Sequence, residues 1–144
     1  MYRECVFCGR DERLDQMMIE ICDLSVSTLY LNKEQTYFGR CVVVLKDHQR
    51  ELFQLSEETR TKFMNDIVLV AGAIEKAFQP DRINYGCYGD YMPHLHFHVV
   101  PKYKDGEAWG FPFELNGKQI FLNDEQYMGM IEKLMKYMEF TPVS

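Results

Sequence analysis

Short runs of alternating or continuous apolar residues, rich in Val, Ile, Tyr and Leu, recur along the chain and predict β-strands. Five such runs lie at residues 17–22, 27–31, 41–45, 83–88 and 95–100. The polar stretches inside the first group of three and inside the last group of two are short. Short gaps favour antiparallel pairing, because parallel strands need a long crossover between them.

Two longer segments repeat at helical spacing. Over residues 57–78, apolar side chains recur every three or four positions, and Ser56 stands where an N-cap is needed. Residues 124–139 show the same spacing, with Asn123 as a cap and Pro142 beyond the end. The pattern predicts an α+β fold in which a five-stranded, mostly antiparallel sheet is joined by one long helix and a C-terminal helix.

Length and composition place these elements in one globular domain spanning residues 1–144. The chain has 144 residues, 47% of them hydrophobic, so it can bury a core without disulfides. Its 16 Lys and Arg against 22 Asp and Glu give a net charge of −6, which argues against polymeric nucleic acid as a partner. The longest apolar run, residues 67–74, is too short to cross a bilayer, and the first residues lack a signal-peptide pattern. We therefore expect a cytoplasmic protein with no membrane partner.

The cysteines favour free thiols or metal ligands over disulfides. They number five, an odd count, and only Cys5 and Cys8 have a recognisable spacing. Cys-x-x-Cys is half of a zinc site, so the other two ligands must come from elsewhere. Cys22, Cys41 and Cys87 are expected to be small buried hydrophobes.

Three of the four histidines lie within residues 94–98. On a strand, His94, His96 and His98 would project from one face while the apolar residues between them enter the core. Burying three imidazoles side by side requires partners for six ring nitrogens, so function is favoured over packing. Either the rings converge on one metal ion, or the middle ring attacks an electrophile such as phosphorus while its neighbours move protons.

Residues 94–100 resemble the signature of the histidine triad (HIT) superfamily, in which three histidines alternate with apolar residues. The resemblance extends to residues 84–94, which look like the loop that precedes the triad, and to residues 42–48, a strand followed by Lys-x-His. Residues 5–8, Cys-Val-Phe-Cys, are similar to the start of many bacterial members. The resemblance implies a HIT-like fold and a homodimer.

The activity implied by this resemblance is that of a nucleotide hydrolase or transferase. Its substrate would be a small nucleotide that carries a leaving group, such as a dinucleoside polyphosphate or a nucleoside phosphoramidate. His96 is implied as the nucleophile that forms a nucleotidyl-histidine intermediate. His98 is implied as the residue that contacts the substrate, orients His96 and helps to protonate the leaving group.

The resemblance also implies which groups hold the substrate. Asn32 matches the position that binds the ribose hydroxyls, and Asn84 adds a side-chain contact near the phosphate. Gly86 and Gly89 let the backbone amides of residues 86–90 approach the phosphate, and Tyr91 offers a hydroxyl.

A structural zinc ion is a further implication. In bacterial relatives with this N-terminus, the paired cysteines look to be completed by two histidines. The implied ligands here are Cys5, Cys8, His48 and His94, which leaves the other two triad histidines free for chemistry. The alternative is a pair of unligated thiols.

Several positions depart from the family's pattern. Asp90 and Tyr91 stand where relatives commonly have Gln and Ser, and an anionic Asp90 repels phosphate unless Lys102 or Lys104 offsets it. Arg40 occupies a place where relatives often carry His. Two other hypotheses therefore stay open: a nucleotide-binding or regulatory module with little turnover, and a hydrolase whose three histidines all bind a catalytic metal.

Residues 103–119 hold several glycines and are expected to form an extended loop. This loop carries Trp109, the only tryptophan, and Phe111. Both side chains are expected either at an interface between protomers or at the edge of the pocket.

Overall fold

A computed structural model describes residues 4–139 of the chain and contains a five-stranded sheet. The strands are β1 (Met18–Asp23), β2 (Ser27–Asn32), β3 (Cys41–Leu45), β4 (Arg82–Gly86) and β5 (His96–Lys102). They lie in the order β1-β2-β3-β5-β4, and each neighbouring pair is antiparallel. The predicted α+β fold and its five strands are confirmed. The strand with the histidines starts at His96, one residue later than predicted, so His94 precedes it.

Both predicted helices are present with the predicted bounds, α3 at Glu57–Phe78 and α4 at Asp124–Glu139. The Ser56 side chain accepts a hydrogen bond from the backbone of the first turn of α3, and Asn123 does the same for α4. Pro142 lies outside the described residues. Two short helices, α1 (Val6–Gly9) and α2 (Glu12–Met17), and a 3-10 turn at Leu52–Gln54 were not predicted. No described helix is both long and apolar enough to cross a bilayer.

The sheet is covered on both faces. One face packs against α3 and α4, and β3 contributes Cys41, Val43 and Leu45 to that core. The opposite face packs against α1 and α2, and there β3 contributes Val42 and Val44. A strand buried on both faces needs apolar residues at every position, which explains the continuous apolar run of β3.

A buried carboxylate joins α3 to the turn between β1 and β2. Asp66 accepts hydrogen bonds from the hydroxyls of Ser25 and Ser27 at 2.7 and 2.6 Å. It also accepts from the backbone N–H groups of Ser25 and Val26 at 3.2 and 3.1 Å. With four donors around it, this carboxylate fixes the β1–β2 hairpin on the helix layer.

The expectation that three cysteines are buried is correct for Cys41, which is fully buried, and nearly so for Cys22, which is half-buried against the core. It is wrong for Cys87, which is exposed. The reason is the length of β4, which ends at Gly86 and leaves Cys87 in the loop that follows.

Residues 103–119 form turns and bends, as predicted. The buried side chain of Lys102, at the end of β5, ties this loop to the sheet. Its Nζ donates to the carbonyl oxygens of Ala108 and Phe111 at 2.7 and 2.6 Å. Backbone carbonyls thus satisfy the buried ammonium, and the loop stays close to β5.

Candidate active site

A cavity of about 590 Å³ lies over the face of the sheet that carries His96 and His98. One wall is apolar and comes from the α2–β1 junction and the segment before α4: Met17, Met18, Leu115 and Phe121. The polar side is formed by strand residues and their flanks: Asn32, Arg40, His96 and His98. This arrangement suits a ligand with one flat apolar part and one charged part.

His96 is held as a neutral imidazole. It lies on β5 opposite Val44, and its ring centroid is 5.0 Å from that of Phe7. Its Nδ1 donates a hydrogen bond to the carbonyl oxygen of His94 at 2.7 Å, so the lone pair is on Nε2. Burial lowers the pKa of His96, although the hydrogen bond to the carbonyl opposes this effect. At neutral pH, Nε2 is therefore available as a nucleophile.

His98 lies on the same face of β5, opposite Val42 on one side and Gly86 on the other. The centroids of the His96 and His98 rings are 5.2 Å apart. Nδ1 of His98 lies 3.0 Å from Nη2 of Arg40. Burial, followed by the charge of Arg40 and the neighbouring His96, lowers the pKa of His98 to about 3. In both rings Nδ1 is engaged by the protein, which leaves the two Nε2 atoms to meet a ligand.

Four metal-ligand side chains meet beside this pair. Cys5, Cys8, His48 and His94 bring one donor atom each within 4.8 Å of one another. His94 Nδ1 is 3.3 Å from Cys5 Sγ and 3.1 Å from His48 Nδ1, and His48 Nδ1 is 3.2 Å from Cys8 Sγ. A tetrahedral zinc ion with bonds of about 2.0–2.3 Å places its donor atoms about 3.3–3.8 Å apart. The donor set suits a structural zinc ion, and these three distances fit one to within a few tenths of an ångström.

The orientation of His94 agrees with such a role. Its Nε2 donates to the carbonyl oxygen of Leu45 at 2.6 Å, which leaves Nδ1 unprotonated toward the cysteines. Burial, together with the Cys5 thiol, raises the pKa of Cys8 to about 11. A nearby divalent cation would favour the thiolate instead.

The triad is therefore divided between two sites. Among residues 4–139, the group that could hold a metal contains His94 but neither His96 nor His98. His94 precedes β5, and its ring packs against Phe7, as the His96 ring does. The His94 ring nitrogen Nδ1 lies toward Cys5 and Cys8. The hypothesis that three histidines bind one catalytic metal finds no support in this geometry.

Three of the four residues predicted to hold the substrate beside His98 line the cavity: Asn32, Gly89 and Tyr91. Asn32 donates from Nδ2 to the carbonyl oxygen of Glu34 at 2.8 Å, which leaves its amide oxygen as an acceptor. Tyr91 is 97% exposed, so its hydroxyl can meet only the part of a ligand that extends out of the cavity. Asp90 lies beside it at the same rim.

Asn84, the fourth residue, lies elsewhere. It lines a separate cavity with Lys102, Trp109 and Phe111, and its Oδ1 is 3.4 Å from Lys102 Nζ. Trp109 and Phe111 consequently lie away from the histidine cavity. The suggestion that Lys102 offsets the charge of Asp90 is wrong, because its ammonium is held by two carbonyls of the loop after β5.

Gly86 has a different role from the predicted one. A Cβ at this position would lie 2.7 Å from the rings of Phe113 and Tyr88. Glycine is needed there so that these two rings can close around His98, whose ring centroid is 5.9 Å from that of Phe113 and 6.3 Å from that of Tyr88. The close approach at Gly86 is made by aromatic side chains.

Sequence reasoning missed two residues of the site: Glu34, which lines the cavity, and Phe7, which packs on His96. The Glu34 carboxylate accepts hydrogen bonds from Thr36 Oγ1 and from the backbone N–H of Ile120, both at 2.7 Å, and so holds the segment before α4 beside the cavity. Glu34 gave no signal, because an acidic residue after a strand is typical of a solvated turn. Phe7 packs on His96, and its position between two cysteines of a motif was the available signal.

Together, the fold and the site define an α+β protein in which an inner strand carries paired imidazoles beside a Cys₂His₂ cluster. The family model of the HIT domain matches residues 20–105, which is more than half of the chain. The chain belongs to the HIT family.

Individual relatives are distant. An adenosine 5'-monophosphoramidase, hnt1 of Schizosaccharomyces pombe, is 25% identical over 114 residues, which cover 73% of this chain and 82% of that protein. A histidine triad protein from Bradyrhizobium japonicum superposes with a TM-score of 0.81 at 22% identity, covering 89% of this chain and 96% of that one. A zinc-bound histidine triad family protein from Mycobacterium smegmatis has a TM-score of 0.64 at 21% identity, covering 94% and 93% of the two chains. The two structures show a shared fold.

Proposed function

We propose that this protein is a nucleotide hydrolase or transferase that cleaves a nucleoside phosphate from a leaving group through a covalent intermediate on His96. One observation carries the proposal: His96 and His98 have their Nδ1 atoms engaged by the protein and line one cavity with their Nε2 atoms left for a ligand. Membership of the HIT family and the likeness to a yeast adenosine monophosphoramidase support the nucleotide class.

The reaction begins at Nε2 of His96. Its lone pair forms a bond to phosphorus, and the bond from phosphorus to the leaving group breaks with its electron pair on that group. The positive charge that develops on the His96 ring is stabilised by the hydrogen bond from Nδ1 to the His94 carbonyl. Water then attacks phosphorus, the phosphorus–nitrogen bond breaks, its electron pair returns to Nε2, and the proton lost by water passes to solvent. A hard displacement is thereby divided into two easier ones.

The cavity accommodates the rest of the nucleotide in this proposal. The base packs on the apolar wall, and the ribose hydroxyls donate to the amide oxygen of Asn32. His98 contacts the phosphoryl or leaving-group oxygen from Nε2, while Gly89 and Tyr91 border the leaving group at the rim. Asn84 has no part in it, because its side chain lies in the other cavity.

Turnover of two model substrates tests the proposal. Wild type, His96→Ala and His96→Asn are incubated with a dinucleoside polyphosphate and with an adenosine phosphoramidate. Nucleotide release by wild type, lost in both variants, is expected. Phe53→Ala is the control, because Phe53 is 80% exposed in the turn before α3 and does not line the cavity. Nucleotide binding without release by wild type would favour a binding module, and release that survives His96→Ala would refute the covalent role.

A structural zinc ion is part of the proposal, with Cys5, Cys8, His48 and His94 as its ligands. Zinc would cross-link α1 to the end of β3 and to the start of β5, and the reaction on His96 does not pass through it. The support is the donor spacing described above and the existence of a zinc-bound protein of the same fold. Because zinc binds thiolates, we propose a reducing compartment such as the cytoplasm.

A homodimer is also proposed, with β4 at the interface. This strand is an edge of the sheet, and an exposed edge readily pairs with another strand. Two exposed aromatic side chains lie here, Tyr85 of β4 itself at 55% and Phe111 of the loop after β5 at 73%. Sedimentation of the wild type is expected to give the mass of two chains, and Tyr85→Lys is expected to shift the equilibrium to the monomer. A wild type that sediments as a monomer at micromolar concentration would refute this part.

A further inference from the structure

Arg40 is a buried cation that forms no ion pair with a carboxylate among residues 4–139. Its side chain is 1% exposed, and Nη1 donates to the carbonyl oxygen of Leu115 at 3.1 Å. The guanidinium carbon lies 5.3 Å from the centre of the Phe113 ring. Nε is buried and finds no hydrogen-bond partner among residues 4–139. Burying an incompletely satisfied guanidinium destabilises a fold, so packing does not account for this residue.

The second terminal nitrogen of the Arg40 guanidinium, Nη2, reaches the reaction site. Nη2 lies 3.0 Å from Nδ1 of His98. A guanidinium carries only hydrogen-bond donors and keeps its charge in proteins, so Nδ1 of His98 must accept this hydrogen bond. A neutral imidazole whose Nδ1 is an acceptor carries its proton on Nε2.

We propose that Arg40 is a positioning residue that holds His98 neutral with its proton on Nε2, so that His98 presents a hydrogen-bond donor to the cavity. This differs from the role that the family resemblance implies, in which His98 helps to protonate the leaving group. The difference arises from the residue that stands at position 40 of this chain.

The other groups around His98 agree with a neutral ring. The titratable groups that face it are His96 from the same strand, Tyr88 from the loop after β4, and Arg40 itself. Glu34 acts on the charge of Arg40 and is not among the groups that act on His98. A positive charge on His98 would therefore lie beside that of Arg40 without a carboxylate in contact to offset it.

This tautomer limits which leaving groups His98 can assist, a consequence that rests on the proposed function. When Nε2 of His96 bonds to phosphorus, the departing group takes the electron pair, and His98 can only donate a hydrogen bond from Nε2 while keeping its proton. An oxygen that leaves as a stable anion, such as the terminal phosphate of a nucleotide, needs no more than this. An amine needs a full proton, and a neutral His98 would have to become an imidazolate to supply it. We therefore expect phosphoanhydrides to be cleaved in preference to phosphoramidates.

The tautomer is measured directly by NMR, without any turnover. Two-bond ¹H–¹⁵N correlation spectra of the imidazoles, with His98 assigned by its loss in His98→Asn, are recorded between pH 5 and pH 8. In the wild type, His98 is expected as the Nε2–H form throughout. In Arg40→Gln, which removes the charge, His98 is expected to titrate with a pKa closer to 6.5. An Nδ1–H form in the wild type, or ordinary titration with Arg40 present, would overturn the proposal.

Substrate preference supplies the second test. The ratio of kcat/KM for a dinucleoside polyphosphate to that for an adenosine phosphoramidate is compared in wild type, Arg40→Lys and Arg40→Gln. Burial remains the largest cause of the low pKa of His98, so loss of the Arg40 charge raises this pKa only part of the way from about 3 towards 6.5. Each rise of one in the pKa increases the imidazolium fraction at pH 7 about tenfold. Arg40→Gln is therefore expected to lower the ratio at least about tenfold, and Arg40→Lys, which keeps a charged donor, to preserve it.

The two tests separate this proposal from the proposed function. A ratio that is the same in Arg40→Gln and wild type, or Arg40→Lys behaving like Arg40→Gln, would refute the role of the charge in leaving-group choice. A wild type that cleaves neither substrate would refute the proposed function, whereas the tautomer of His98 would still be decided by the NMR spectra.

Discussion

Replacing Cys8 by Ala tests the proposed zinc site and its contribution to the fold. The ligands connect α1 to His48, across 40 residues, and His48 to His94, across 46 residues. A cross-link that closes a loop of about 40 residues stabilises a folded chain by about 4 kcal/mol in the chain-entropy treatment. In a domain of this size, 1 kcal/mol corresponds to about 3 °C in Tm, so a loss of about 10 °C is expected for Cys8→Ala.

The assay combines metal analysis with thermal unfolding in the presence and absence of a chelator. Freshly purified wild type is expected to contain about one zinc ion per chain, and chelation to lower its Tm by about 10 °C. In Cys8→Ala the zinc content falls and the chelator has little further effect. Cys87→Ala is the matched control, because Cys87 is an exposed free thiol outside the cluster.

The reasoning would be refuted by a folded wild type that contains no metal and whose Tm is insensitive to the chelator. It would also be refuted if Cys8→Ala and Cys87→Ala had equal Tm values, because both substitutions remove one sulfur atom and only Cys8 belongs to the cluster. Loss of zinc also has a consequence for the reaction site. Phe7 lies in α1 between the two cysteines and packs on His96, so a loosened α1 is expected to lower activity as well.

Three further predictions follow from single residues. Asp66→Asn leaves part of a buried donor cluster unsatisfied, so urea denaturation should show a free energy of unfolding lower by about 3 kcal/mol. The control is the exposed neighbour Asn65, whose substitution Asn65→Ala should change this free energy by less than about 0.5 kcal/mol. Glu34→Ala removes the hydrogen bond that holds the segment at Ile120 beside the cavity, so KM should rise about fivefold (roughly 1 kcal/mol) with a smaller change in kcat. An equal fall in kcat would contradict this positioning role. In the folded protein the pKa of His98 is about 3, whereas in the unfolded chain it is about 6.5. As the pH falls from about 6.5 towards 3, only the unfolded chain takes up a proton at His98, so the free energy of unfolding decreases. The difference in stability between pH 7 and pH 5 should therefore shrink in His98→Asn, and an unchanged difference would argue against a neutral ring.

The helices and strands could be predicted where their apolar pattern runs over many residues or is unbroken by polar ones. The helix α3 repeats its apolar positions over 22 residues and carries a serine cap, so both ends were correct. The strand β3 is apolar at each of its positions because both of its faces are buried. The continuous apolar run therefore also marks where this strand begins and ends. The histidine alternation predicted the shared face of His96 and His98, since it depends only on the geometry of one strand.

What could not be predicted depends on contacts between distant parts of the chain. The helices α1 and α2 contain 4 and 6 residues, too few for a helical period, and they are stabilised by packing against the sheet. The contact between Arg40 and His98 requires the register of β3 against β5, in which Val42 faces His98. Lys102 was one of two cations suggested to offset the charge of Asp90. Its partners are instead carbonyl groups of the loop after β5, whose fold the sequence pattern does not specify.

The central claim is that phosphorus becomes bonded to His96 during turnover, and intact-mass spectrometry of protein quenched in alkali during turnover tests it most directly. With a dinucleoside polyphosphate as substrate, a transient mass increase of one nucleoside monophosphoryl group is expected, and peptide mapping should locate it on His96. The matched variant His96→Asn should carry no such group and release no nucleotide. Steady turnover by wild type with no adduct at any quench time, or an adduct that persists in His96→Asn, would contradict the account.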